Sequence, residues 1–436
     1  MLGLSGWIQG LWVRTRSLLL PSDGLSPVVN RNVAVNVYHG MLTVMSANLI
    51  TPFFGIFAVR IGASNVQVAM LSSLPALMSL VAMIPGARFL DGRQDQKRLT
   101  TLFLLAHRLF YLLIATIPFF HKDYQAVMLV GAVALMNLPG AVGLIGWQAL
   151  VSRAIPPRQR AIAFATRSRL MNLTGTITVL IAGWSIDLMH QPTGYQIVFT
   201  LAFLFALGEL RMLNRLDTDN SELGPPLVAQ VGAPRTPLRG QTRFIRFTLA
   251  TMFFYLGWQV PWPLFTLYQV QVLGANNTWI SLLSLASTGG ALLGFGFWAT
   301  QANRHGHLWA LRTSSLGMFL VPVVYAISKD LPTLVAFQLL TGTIFSGVNL
   351  SLFNCLLEVT PEEAKATYIA YYTSAVNLVA IGAPFLGVML LDYMSYQTAF
   401  LVAAALRMLG SLVYFYVYRL EQREILNPTA GIGASA

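Results

Sequence analysis

Ionisable side chains are scarce in this chain, so those set inside long apolar runs are the first candidates for chemistry. His39 stands in VYHGMLTV and the pair His107–Arg108 in LLAHRLFYLL. An ionisable group inside a membrane span is costly and marks proton relays and solute paths. Imidazole titrates near physiological pH, so His39, His107 and the adjacent Arg108 are the candidate coupling groups. The competing reading of each histidine is a hydrogen-bonded interior side chain. For Arg108, and for Arg407 in the last apolar run, it is local bonding between helices, with anion binding as the functional alternative. No Asp or Glu is expected at mid-membrane depth in any run.

Amides and aromatics form the second group. The candidate cavity residues are His39, Asn48, Asn137, Tyr255, Trp258, Gln259, Trp262, Gln338, Asn349, Tyr371 and Tyr372. In the runs around 255–262 and 338–349 their spacings of three, four and eleven place them near one helical face. Aromatic walls with a few amides suit a neutral or amphipathic organic molecule. The alternative is that each amide bridges neighbouring helices, worth about 0.6 kcal/mol apiece.

The elements that must carry these residues follow from composition. Of 436 residues, 55% are hydrophobic and 10% charged, against about 25% charged in globular domains. The mean hydropathy is +0.62. The single cysteine, Cys355, excludes an intramolecular disulfide and a cysteine metal site. A spanning helix needs about 20 mostly apolar residues. Twelve such runs occur, near 33–59, 66–87, 100–120, 125–151, 162–188, 196–213, 244–273, 278–299, 309–328, 332–357, 366–391 and 397–418. None shows the strict alternation of a barrel strand. The expected fold is an all-α polytopic membrane protein of 12 transmembrane helices.

Charge sets the sides. Of 28 Lys and Arg, 23 fall on one side of the twelve runs and three on the other (Arg60, Lys122 and Lys329). Arg108 and Arg407 lie within runs. This is the positive-inside pattern, so both termini are read as cytoplasmic. The net charge of +12 then reflects topology and contact with anionic membrane lipids, not nucleic acid. The first 30 residues lack a cleavage site. Trp7, Ile8, Leu11 and Trp12 suit a short interfacial helix there.

The two halves repeat. IGASN at 61–65 meets LGANN at 273–277, at an offset of 212. Lys122-Asp123 meets Lys329-Asp330, Asn172-Leu173 meets Asn377-Leu378, and Tyr195 meets Tyr396. The offset falls steadily along the chain, as small deletions in the second copy would make it fall. Two pseudo-symmetric six-helix bundles (6+6) are expected. The boundaries are a cytoplasmic arm at 1–32, a first bundle at 33–213, a cytoplasmic linker at 214–243, a second bundle at 244–418 and a cytoplasmic tail at 419–436.

These features resemble the major facilitator superfamily of secondary transporters over nearly the whole length. The family's loop motif between spans 2 and 3 has a counterpart in GARFLDGRQDQKR, residues 86–98, with Asp91 at the acidic place and Arg93, Lys97 and Arg98 supplying charge. Ala87 stands where the motif has its first glycine. The second half repeats it as ATQANRHGH, with Asn303, Arg304 and Gly306, and Asp91 and Asn303 are again 212 apart. The resemblance implies that these residues gate the cytoplasmic side and that transport proceeds by alternating access. It implies a small-molecule substrate, a proton or sodium coupling ion and a monomer in a bacterial cytoplasmic membrane. Export of amphipathic compounds is the first expectation. Uptake of a neutral or anionic metabolite and a non-transporting sensor on the same fold are the alternatives. No phosphate-binding loop or zinc spacing is present, so neither enzyme activity nor a cofactor is expected.

Overall fold

The computed structural model describes residues 27–90, 93, 95–218, 240–361 and 365–426. The described residues are helical throughout, with no strand among them. In chain order the helices are α1 (Pro27–Asn48), α2 (Phe54–Arg60), α3 (Asn65–Leu90), α4 (Gln96–Thr116), α5 (Lys122–Leu135), α6 (Asn137–Ala154), α7 (Pro157–Leu188) and α8 (Thr193–Asn214). They continue with α9 (Thr242–Gln259), α10 (Trp262–Leu267), α11 (Asn277–His305), α12 (His307–Gly317), α13 (Leu320–Ile327), α14 (Leu331–Val359), α15 (Lys365–Tyr393) and α16 (Tyr396–Leu426).

Four of the apolar runs read as continuous spans are interrupted, each at a proline. Proline has no N–H, so the carbonyl four residues earlier loses its helical donor. Pro52 leaves Asn48, where α1 ends. Pro139 leaves Leu135, where α5 ends. Pro261 leaves Gly257, in the last turn of α9. Pro322 leaves Met318, one residue past α12. Pro384, by contrast, sits inside an unbroken α15.

Ten helical segments among the described residues are long and apolar enough to cross a membrane. Two of the twelve expected spans fall short. The helix α7 carries Arg160, Arg167 and Arg169 in its first half and Asp187 near its end. It still presents Leu173, Ile177, Ile181, Trp184 and Leu188, all exposed, at spacings of three and four. The other is α9, 18 residues long, which has Arg243 and Arg246 near its start and stops before Pro261.

By packing, the chain forms two compact units. Among the described residues, the first spans 27–53, 81–121 and 131–218, and the second spans 54–80, 122–130 and 240–426. In the first unit, α1 packs on α7 and α8, and α4 packs on α6 and α8. Gly86 makes the close approach there: a β-carbon on it would stand 2.5 Å from Val142 of α6. The neighbouring Ala87, expected to take that role, is half-buried. In the second unit the tightest pair is α11 and α14, where Gly290 and Gly342 face the partner's backbone with no room for a side chain. Small residues that let backbones meet are the usual means of helix association in lipid.

The repeat has a local counterpart. Gly62 and Gly274, 212 residues apart, both take left-handed backbone, at φ 84° and 66°. Such a conformation strains any residue with a β-carbon. Each ends one helical run and sets the start of the next.

Candidate functional site

The first unit buries a charged network. Along α1, Asn32, Asn36, His39 and Gly40 recur at helical spacing and all are buried. Asn32 Nδ2 donates to the carbonyls of Ala154 (2.9 Å) and Asp217 (2.8 Å), which fixes this face of α1. His39 lies about two turns further along. Its Nε2 is 3.8 Å from Glu209 Oε1 of α8, and its ring stacks on Trp147 of α6 with centroids 5.8 Å apart.

Glu209 is the centre of the network. Arg108 of α4 places Nη2 at 3.0 Å from Oε2 and 3.1 Å from Oε1, and its Nη1 donates to the Tyr111 hydroxyl. Arg108 is 6% exposed and Glu209 1%. Carrying both charges out of water is expensive, and the ion pair, with one hydrogen bond from Nη2 to Oε1, offsets part of that cost. Glu209, near the end of its span, is a buried acid that a reading of mid-membrane acids alone does not single out. Apolar run length alone passes over Glu209, because it sits four residues from the end of its run. Its register is the available signal. Tyr195, Phe199, Ala202, Ala206, Glu209 and Leu213 are all buried, at helical spacing. An acid on such a stripe points inward.

Beside this pair stands a second guanidinium. Arg167 of α7 lies 4.5 Å over the Trp147 ring. It fits because α1 has glycine at position 40: a β-carbon there would stand 2.6 Å from Arg167 Nε.

The other sequence candidates distribute as follows. His107 donates from Nδ1 to the carbonyl of Met136 at 2.7 Å, at the break between α5 and α6. Asn137 Nδ2 donates to Val133 at 2.7 Å across the same break. Asn48 Nδ2 reaches Gly175 of α7 at 2.9 Å. Of the gating motif, Asp91 lies outside the described residues. Arg93 sits 4.9 Å over the Phe89 ring, and Lys97 donates to the Leu216 carbonyl at 2.7 Å. Lys97 and Arg98 line a groove of about 430 Å³ with Asp95, Thr101, Leu102 and Asn214. Asn303 and Arg304 are exposed, and Gly306 takes φ 89° between α11 and α12.

The second unit holds the aromatic group. Trp258 is the hub, with Tyr255 at 5.0 Å, Phe345 at 5.4 Å, Phe254 at 5.6 Å and Trp262 at 6.5 Å between ring centroids. Trp258 and Gln259 are buried, whereas Trp262 is 45% exposed. Tyr372 stacks on Phe247 at 6.1 Å. Gln338 is half-buried, and Asn349 and Tyr371 are exposed. Arg407, 1% exposed, donates to the carbonyls of Gly257 (3.2 Å), Trp258 (2.8 Å) and Met318 (3.2 Å). Gly257 is the carbonyl that Pro261 leaves without its helical donor, while the Met318 carbonyl also accepts from Val321 N–H at 3.3 Å. Arg407 thus joins two proline-broken runs to α16.

Long apolar helices, Gly-packed, with a paired and buried charge network among them define a multi-pass membrane protein. A family model described as the Major Facilitator Superfamily matches residues 40–243 and 247–435, and the chain belongs to that superfamily. Its fold is similar to that of a bacterial homologue of the iron transporter ferroportin in an inward-facing state. There the TM-score is 0.72 at 13% identity, over 90% of this chain and 99% of that one. It is also similar to a bacterial homologue of the human lysosomal transporter Spinster, inward-facing and occupied (TM-score 0.66, 12% identity, 91% and 98% covered). A mutant of the nucleoside transporter NupG gives a TM-score of 0.66 at 13% identity, with 88% and 100% covered. No curated protein matches the chain. At these identities the structural likeness speaks for the fold. The chain is a multi-pass membrane protein and a secondary transporter, not an enzyme, of a family whose members bind small-molecule substrates.

Proposed function

We propose that this transporter moves a small organic molecule across a bacterial cytoplasmic membrane by alternating access, coupled to protons through Glu209. The observation that carries the reading is the buried Arg108–Glu209 pair with His39 at 3.8 Å. An intramembrane carboxylate with both an arginine and an imidazole beside it can exchange partners when a proton or solute arrives. The aromatic group around Trp258 supports an amphipathic substrate. Export against proton entry is the direction proposed. The 6+6 arrangement at 33–213 and 244–418, the linker at 214–243, cytoplasmic termini and a monomeric state complete the reading. The motif at Asp91, Arg93, Lys97 and Arg98, with Asn303, Arg304 and Gly306, serves as the cytoplasmic gate in it.

The test is proton flux in proteoliposomes holding a pH-sensitive dye. Cationic dyes, sugars, amino acids and organic acids are added singly. The expected result is a compound-specific signal that Glu209→Gln abolishes, while exchange of the labelled compound continues. The sign of the signal separates export from uptake. An unaltered signal in well-expressed Glu209→Gln would overturn the coupling role.

A further inference from the structure

The network leaves a set of buried polar groups without partners, and they cluster around Arg167. Both ring nitrogens of His39, both amide atoms of Asn36, Trp147 Nε1 and Arg167 Nε make no hydrogen bond. His39 is 3% exposed and Asn36 0%. More than nine in ten buried polar groups in folded proteins are bonded, so several unbonded ones in a single cluster are unusual. They are joined by contact. His39 and Arg167 both pack on the Trp147 ring, Arg167 packs on Gly40, and Asn36 lies one turn from both His39 and Gly40 on the same face of α1.

Donors predominate among these atoms, with Asn36 Oδ1 and Glu209 Oε2 as unbonded acceptors in the same network. The indole and guanidinium nitrogens only donate, and the amide and imidazole each supply a donor. Charge agrees. Glu209 is neutralised by Arg108 at 3.0 Å, and among the described residues Arg167 has no ion-pair partner. One positive charge is left over on the half-buried Arg167, next to spare donors. An acceptor-rich anion answers both needs, and arginine's planar fork matches it.

We propose that Arg167, Trp147, His39 and Asn36 form a subsite for the anionic group, a carboxylate or phosphate, of the transported solute. It deepens the transporter reading and rests on it. Trp147 holds the guanidinium flat by stacking, and Gly40 gives it room. Glu209 and Arg108 lie alongside, close enough for an arriving anion to compete for Arg108 and release Glu209 to take a proton.

The experiment is equilibrium binding, independent of transport. The full chain is placed in nanodiscs of phosphatidylcholine. Benzoate, phenyl phosphate and octanoate are compared with the matched neutral compounds benzamide, benzyl alcohol and octanamide. The expected result is that at least one anion binds and its neutral match does not. Arg167→Gln is expected to weaken binding about tenfold or more, the usual scale for a lost bond to a charged group. Gly40→Ala, which crowds Arg167, weakens it too. Trp147→Phe keeps the stacking and lowers affinity by less. Glu209→Gln takes away the carboxylate that competes for Arg108 and is expected to strengthen anion binding while it removes proton flux, so a failure of proton coupling and a failure of this subsite give different patterns. Equal binding of anion and neutral match, no binding of any anion, or unchanged affinity in a stably folded Arg167→Gln would each overturn the proposal. Displacement of the bound anion by phosphatidylglycerol doped into the nanodisc would assign the site to a lipid headgroup and also overturn it.

Discussion

Glu209 and Arg108 are a pair whose members cannot be removed singly without consequence. Glu209→Ala leaves a guanidinium buried at 6% exposure with only Tyr111. A loss of about 3–5 kcal/mol is expected for breaking such a pair, read as a lowered melting temperature in detergent. Replacing both partners by apolar residues, Arg108→Met with Glu209→Leu, is expected to recover most of that stability. It should not recover proton flux. A double variant as unstable as Glu209→Ala would show that the pair is not an independent unit. His107 behaves differently, although it adjoins Arg108. Its Nδ1 is committed to the Met136 carbonyl, so His107→Asn is expected to disturb the α5–α6 break and spare proton coupling. Loss of the pH signal in well-folded His107→Asn would contradict this.

At the scale of elements, the breaks and close packings carry the argument. Arg407 supplies a donor to the Gly257 carbonyl that Pro261 strands, and a second to the Met318 carbonyl beside Val321 N–H. Arg407→Met is therefore expected to destabilise the fold by about 1–3 kcal/mol for the Gly257 carbonyl left bare. The same substitution made on a Pro261→Ala background should cost less, because an alanine at that position returns an N–H to the Gly257 carbonyl. Additive losses in that double-mutant cycle would reject the capping role. Gly342→Val sets a branched side chain against the α11 backbone, where even a β-carbon has no room. Failure to accumulate in the membrane is the expected outcome, seen by quantitative immunoblot. Normal accumulation would mean that α11 and α14 can separate at little cost. Each break lies two to five residues before a proline, but proline alone does not mark one, since Pro384 sits inside an unbroken helix. What a break is used for is not legible in the sequence, because Arg407 is about 150 residues from Gly257 in the chain.

For the whole molecule, the distribution of Lys and Arg makes a topological prediction. With Cys355, the single cysteine, replaced by Ser, new cysteines are placed at Lys122, Lys329, Arg98 or Arg304. A membrane-impermeant maleimide added to intact cells is expected to label Lys122→Cys and Lys329→Cys alone. Labelling of Arg98→Cys in sealed cells would reverse the orientation. The amino-acid order is enough to establish that the chain is helical and membrane-embedded, where its apolar runs lie, and that its two halves share a pattern. Those properties are local: apolar run length, charge at the ends, proline and glycine at fixed offsets. It also supplies His39 and Arg108 as candidates, since a charge inside an apolar run is visible without a partner. Which groups meet is a matter of the packed fold. Glu209 is 101 residues from Arg108, and Trp147 and Arg167 come from two further helices. Their meeting depends on how each helix is rotated about its own axis. That rotation is set by packing around Gly40 and Gly86 and by side-chain bonds such as Asn32 to Ala154, none of which a single apolar run can specify.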